Sequence, residues 1–485
     1  MKKALLFNIF LLFGISCIAQ ITSGAISEVR EITDLNETFT YGLQKVEFYD
    51  EKTSIMLAQS DDKSFIFYKM TADDVVVFKT KVNKIFDIRD FKIWRDSLYF
   101  CGKHGANYGF VASANINDFF SVSASELFYY KDIPESDCLT KMKIYEQGDV
   151  YLACIGTQVY NYYTPEPDAV VMLYNTNTDE YYIDNITNQY NILGHYEKED
   201  LRDIEVNSQY IYTISNYDTI WYTPTYYTYY SDDDPNTPIV DSNIVIGHTG
   251  QAKHYIKLRR YDQANPSNTP YTITYMIDTT QFKRTNENYL FLTKEKDSHI
   301  IFAFSAKDIN TDENYAFLNT VFPNTLLYDY SIPTNPSKLD YQTLLDYTMV
   351  VDMEYNSDDG FLYLLSTIKT NNTIYEQKIH YIDIFGANTA VRYIQPSFMP
   401  HLNDIKIYNS SYLASVGFAG NNLLRTWNQK LLTNGCFNMG TDYRTSVNIY
   451  AMPFVYGNPL QIFVAKKHYY KVKSKKMSYT TICIQ

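Results

Sequence analysis

Asp203-Ile204-Glu205-Val206, three further residues, then Tyr210-Ile211-Tyr212 is the stretch that decides the fold. Charged and apolar residues alternate with a period of two in the first half, as in a half-buried β-strand. Asn207-Ser208-Gln209 supplies a turn, and the second half is a strongly apolar strand. The same two-step unit returns as Asp90-Phe91-Lys92-Ile93-Trp94 before Leu98-Tyr99-Phe100, and as Met142-Lys143-Ile144-Tyr145 before Val150-Tyr151-Leu152. Further copies are Asp352-Met353-Glu354-Tyr355 before Phe361-Leu362-Tyr363, and Asp404-Ile405-Lys406-Ile407 before Tyr412-Leu413. Weaker copies begin at Val46 and Tyr289.

Starts at 46, 91, 142, 204, 289, 353 and 405 are separated by 45, 51, 62, 85, 64 and 52 residues. Each interval holds more strand-like runs, such as Ser64 to Met70 and Val75 to Val82, or Thr373 to Ile384 and Thr389 to Ile394. No long segment has a helical period. Four antiparallel strands per unit, repeated seven times, predict an all-β chain folded as a β-propeller. Phe361-Leu362-Tyr363-Leu364-Leu365 and Ile300-Ile301-Phe302-Ala303-Phe304 are continuous apolar runs, expected where neighbouring blades cover both faces of a strand.

On this repeat shape the chain resembles secreted bacterial β-propellers over nearly all of its length. It carries no WD dipeptide and no kelch Gly-Gly pair, so the resemblance implies a fold and no particular activity. Seven blades are expected, with eight as the alternative, because the 85-residue interval or the tail 436–485 could hold one more. The run Ile26 to Ile32 could instead pair with C-terminal strands and close the ring. A separate C-terminal β-sandwich is the remaining reading of the tail. Residues 20–485 are otherwise expected to be a single propeller domain.

Tyrosine fills 48 of 485 positions, against 3 tryptophans, 18 glycines and 15 prolines. That profile excludes collagen-like, Pro/Gly low-complexity and coiled-coil chains. It suits pleated sheet, where the ring packs and the hydroxyl reaches a polar group.

Lys2 and Lys3, the apolar run Ala4 to Ile15, and Ser16, Cys17 and Ala19 read as a signal peptide over residues 1–19, cut before Gln20. Export to the periplasm, cell surface or medium is expected. Gly14-Ile15-Ser16-Cys17 offers a lipoprotein alternative acylated on Cys17. No later run is apolar enough for a membrane helix. The formal charge of −13 argues against nucleic acid and anionic lipid as partners. Lys466 to Lys476, the one basic cluster, alternates like a solvated strand face.

Asp90, Asp203, Asp352 and Asp404 occupy one position of the repeat. In a propeller they would ring the central channel, either as ligands for a calcium ion or as acceptors of backbone N–H groups from their own turn or the next blade. Asp232-Asp233-Asp234-Pro235-Asn236 and Asp308, Asn310 and Asp312 lack the glycine and glutamate of an EF-hand loop. Tyrosines concentrate at Tyr160, Tyr162 and Tyr163, and again around Trp221, Tyr222, Tyr226 and Tyr227. Both groups follow a second strand, so they are expected on extended hairpins, where aromatic faces beside polar groups suit a glycan or a peptide. The alternative is a ribbon whose tyrosines pack on one another. A Cys436–Cys483 disulfide would fasten the C-terminal segment; equally, these cysteines and Cys101, Cys138 and Cys154 could be small buried hydrophobes.

There is no Gly-x-Ser-x-Gly elbow, no His-Glu-x-x-His and no phosphate-cradling loop. The expectation is a non-catalytic binding or scaffolding propeller. The alternative is a hydrolase or lyase acting on polysaccharide, with carboxylates near the channel as acid and base.

Overall fold

In a computed structural model the seven charged-apolar units supply the innermost strands of seven antiparallel sheets. These strands are Leu43–Phe48, Phe86–Trp94, Cys138–Gln147, His195–Val206, Leu290–Glu295, Thr348–Asn356 and His401–Tyr408. Each packs on the innermost strand of the next blade, and His401–Tyr408 packs back on Leu43–Phe48, so the ring is closed. The chain is a seven-bladed β-propeller. The structure describes residues 28–484 apart from short internal stretches, the longest being 159–166, 231–237, 242–252, 327–338, 430–436 and 454–460. The leader expected over 1–19, with Cys17, lies outside the described residues.

The 85-residue interval holds an insertion rather than an eighth blade. It leaves blade 4 between the second strand, Tyr210–Trp221, and the third, Lys253–Asp262. Within it Tyr227–Tyr230 and Pro238–Asp241 form a two-stranded ribbon that pairs with no blade.

Buried apolar side chains explain why blades must stack. Among the described residues they fall into seven clusters, one at each blade–blade interface. Alternation within one strand divides them. Ile300, Phe302 and Phe304 face blade 4, while Ile301 and Ala303 face blade 6. Leu362 and Leu364 likewise point to blade 5, and Tyr363 and Leu365 to blade 7. Each such side chain contributes roughly 1.5–3 kcal/mol on burial, which a sheet wetted on one face could not collect twice. In several buried tyrosines the ring packs and the hydroxyl donates to an acid, as in Tyr68 to Asp34, Tyr261 to Asp184 and Tyr363 to Asp359, while Tyr212 and Tyr275 donate to the Pro323 and Leu326 carbonyls.

The N-terminal strand completes the last blade. Glu28–Ile32 pairs with Asn422–Gln429 and serves as its fourth strand. The C-terminal segment then adds a fifth strand to every blade in turn. Phe437–Pro453 runs along the outer strands of blades 6, 5 and 4. Gln461–Val464, Lys467–Val472 and Ser474–Ser478 follow on blades 3, 2 and 1. Thr480–Ile484 ends on blade 7 against Glu28–Ile32, which makes the two chain ends neighbours. The tail is therefore a belt around the whole ring. It covers the outer edges that a four-stranded blade leaves open.

Six innermost strands carry a β-bulge just before the residue that faces the channel. The shifts precede Lys45, Asp90, Lys141, Asp203, Asp352 and Asp404. Opposite each bulge the second strand places a small residue: Ala58, Gly102, Gly156, Ser215, Ser366 or Gly417. Space is the reason where it is glycine, since a Cβ on Gly417 would lie 1.6 Å from the His401 carbonyl oxygen.

Candidate functional site

Each bulge bends its strand and aims the next side chain at the axis and the neighbouring blade. Residues two apart share a face, so six of the seven innermost strands each send two charged side chains into the channel. The first ring is Lys45, Asp90, Lys141, Asp203, Asp352 and Asp404, and the second is Glu47, Lys92, Lys143, Glu205, Glu354 and Lys406, with Lys294 from blade 5.

The aspartates act between blades. Asp90 accepts the Met142 N–H of blade 3 at 2.9 Å, and Asp203 the Leu292 N–H of blade 5 at 2.8 Å. Asp352 accepts from Ile405 of blade 7 at 2.9 Å, and Asp404 from Val46 of blade 1 at 2.7 Å. Blade 5, which has no aspartate here, uses Thr293 Oγ1 and Ser305 Oγ to accept the Tyr355 and Val350 N–H groups of blade 6. Among the described residues no three His, Cys, Asp or Glu side chains converge on a point that could hold a metal ion.

Lysines bridge the carboxylates. Lys45 stands 3.8 Å from both Asp90 and Asp404, and Lys141 3.0 Å from Asp203. In the second ring Lys143 lies 2.7 Å from Glu205 and Lys406 3.3 Å from Glu354, while Lys92 pairs with Glu47. Burial alone would lower the Lys45 and Lys406 ammonium groups, but the facing carboxylates outweigh it and both are raised. Asp404 is pushed well up by burial and by the charge of Asp352, to which it is hydrogen-bonded. Asp352 is held down, because Lys406 and Lys45 outweigh its burial. Of the two, Asp404 is the one that holds a proton more readily. Six lysines and seven carboxylates thus line the two rings.

A second feature follows from strand direction. The innermost strands all run the same way, so the loops entering them and the loops joining second to third strands share one face. The described ends of the two tyrosine-bearing connections, Gln158 and Asp168 in blade 3 and Trp221 and Lys253 in blade 4, lie there. Tyr162 and Tyr163 belong to the second-to-third loop of blade 3, outside the described residues. Trp221 closes the second strand of blade 4, paired with His195; Tyr222 and Tyr226 lie outside the described residues, and Tyr227 opens the ribbon. The exposed apolar residues Leu35, Tyr41, Ile85, Tyr108 and Ile309 sit on loops or strand ends of this face, Leu35 being 91% and Tyr41 63% exposed.

Of the cysteines, Cys101 and Cys154 are buried free thiols and Cys138 is a free thiol. Cys436 lies outside the described residues, and Cys483 sits in the last belt strand opposite Val29. Among the described residues no helix is long and apolar enough to cross a membrane. Sequence reasoning singled out the aspartates but not Lys45, Lys141, Lys294 and Glu47. The signal was available in the alternation itself, since any charged residue at that repeat position or two further along faces the axis.

No protein-family model matches the chain, and no curated protein is similar to it in sequence. Among solved structures it is similar to "Crystal structure of xylan beta-1,4-xylosidase from Bacillus Halodurans C-125", with 7% identity over 92% of this chain and 99% of that one. The TM-score of 0.18 is too low for that likeness to carry an argument.

Proposed function

We propose that this chain is an exported, non-catalytic binding propeller that takes a glycan or a peptide on the face carrying its tyrosine insertions. What supports the reading most is that both tyrosine-bearing connections leave second strands of adjacent blades at one face, a face that also exposes Leu35, Tyr41, Ile85 and Tyr108. A surface of that kind offers apolar faces for stacking and polar loop groups for orientation. The channel gives little help to the hydrolase or lyase alternative. Carboxylates that cleave a glycosidic bond stand about 5 Å or more apart to admit the sugar. Asp352 and Asp404 instead hydrogen-bond to each other, and both also accept a neighbouring N–H.

Thr219 pairs directly with Lys253, so residues 222–251 can be replaced by a short turn that leaves the strands of blade 4 intact. The mature protein is expected to bind members of a glycan or peptide array, and the shortened variant is expected to keep its melting temperature and lose that binding. Unchanged binding by the shortened variant would remove the tyrosine ribbon from the site. Release of reducing ends from a polysaccharide, abolished by Asp352→Asn, would favour the catalytic alternative.

A further inference from the structure

Between blades 2 and 3, on the face opposite the tyrosine insertions, a cavity of about 40 Å³ opens beside the belt. By the roughly 10–15 Å³ that one water needs, it has room for about three waters or a group of a few heavy atoms. Its deepest charge is already matched. Lys131 pairs with Asp179, whose carboxylate also accepts the Tyr174 hydroxyl at 2.8 Å. Asp179 holds a left-handed backbone (φ 66°), which aspartate tolerates better than most residues, and its own carbonyl accepts the Ala465 N–H of the belt at 3.1 Å.

Lys467 is different. It comes from the belt, its ammonium stands 4.4 Å above the Tyr129 ring, and the carboxylate whose charge it feels, Asp179, is already paired with Lys131. Ser113 and Tyr99 add hydroxyl groups to the same wall. The lining therefore carries two ammonium groups for one carboxylate, an excess of one positive charge, with hydroxyl donors and aromatic faces in a space too small for a sugar ring. We propose that this cavity is a binding site for a small monocarboxylate, whose oxygens meet Lys467 and the Ser113 and Tyr99 hydroxyls while its short carbon end packs between the Tyr129 and Tyr174 rings. The excess of one ammonium over the Asp179 carboxylate balances one negative charge, and charge-assisted hydrogen bonds are the strong ones. The site is independent of the tyrosine face, and because the belt supplies its cation, the ligand would fasten the belt to blades 2 and 3.

The test is a titration of the full mature protein with acetate, with acetamide and inorganic phosphate as comparison probes, read by calorimetry and by melting temperature. Saturable acetate binding is expected, with acetamide at least tenfold weaker and phosphate weaker than acetate. Lys467→Met should weaken acetate at least tenfold, and Ser113→Ala severalfold, each variant melting like the parent when acetate is absent. Ser113→Ala removes only one oxygen, so it keeps the test decisive if Lys467→Met loosens the belt. Equal binding of acetate and acetamide, acetate binding unchanged in both variants, or no saturable acetate binding would each overturn the proposal.

Discussion

Asp90 joins three blades, and its replacement separates the terms that hold the ring. It sits on blade 2 with 3% of its surface exposed, accepts the Met142 N–H of blade 3 at 2.9 Å, and faces Lys45 of blade 1 at 3.8 Å. Asp90→Ala leaves a buried N–H without its acceptor, at about 1.5–3 kcal/mol for a bond to a charged group. It also removes an ion pair whose lysine keeps 28% of its side chain accessible, worth about 0.5–1 kcal/mol after screening. The expected loss is about 2–4 kcal/mol at pH 7, measured by urea unfolding followed through tryptophan fluorescence. Asp90→Asn keeps an oxygen for Met142 and should lose only about half as much. The pH dependence has a definite sign. Lys45 and Lys92 outweigh burial and hold the Asp90 carboxyl below its ordinary value. The native state therefore binds fewer protons than the unfolded chain, and this stability is present above the unfolded value of about 4 and fades as pH falls through the folded one. The gap between parent and Asp90→Ala should narrow in acid. A loss under about 1 kcal/mol, or Ala and Asn variants of equal stability, would refute the view that the aspartates act as blade-to-blade acceptors.

Asp404 should behave in the opposite sense. Its carboxyl is raised by burial and by Asp352, so its contribution is full below pH 4 and lost as pH rises through the folded value; Asp404→Asn, which mimics the protonated form, should gain on the parent as pH increases in urea titrations, and a constant difference between pH 4 and 8 would count against the raised Asp404 carboxyl. Gly417→Ala forces the His401 carbonyl away from the bulge and should cost about 1–3 kcal/mol, whereas Ser366→Gly at the corresponding place in blade 6 should cost about 1 kcal/mol or less; equal losses would show that space at the bulge is unimportant. Ending the chain at residue 436 bares the outer edges of all seven blades, so light scattering should detect self-association; a monomer melting like the full chain would show that the belt is dispensable.

The inner ring was legible because its signal is local. Ile204 and Val206 must be buried and Asp203 and Glu205 must reach the axis, and this alternation recurs at six of the seven innermost strands. Blade 5 was faint for a physical reason: its acceptors, Thr293 and Ser305, are neutral hydroxyls that do not stand out in an apolar run. The two alternative roles of the aspartates could not be separated by sequence, since only coordinates place Met142, Leu292, Ile405 and Val46 beside them. The bulges were hidden as well, because a glycine such as Gly417 reads as a weak strand residue until the His401 carbonyl is seen against it. The belt was least legible. Phe437–Pro453 has the pattern of one ordinary strand, and nothing in its seventeen residues records that three different blades pair with it in succession.

The belt also determines how this molecule would respond to tension. The blades run once around the axis, and the belt returns through them in reverse order, ending on blade 7 beside Glu28–Ile32. A pull on the C-terminus therefore loads one short ladder at a time: first Thr480–Ile484, then Ser474–Ser478, then Lys467–Val472. Each step would yield a little slack at modest force, and the inner ring with its ion pairs would carry no load until the outer circuit had been peeled away.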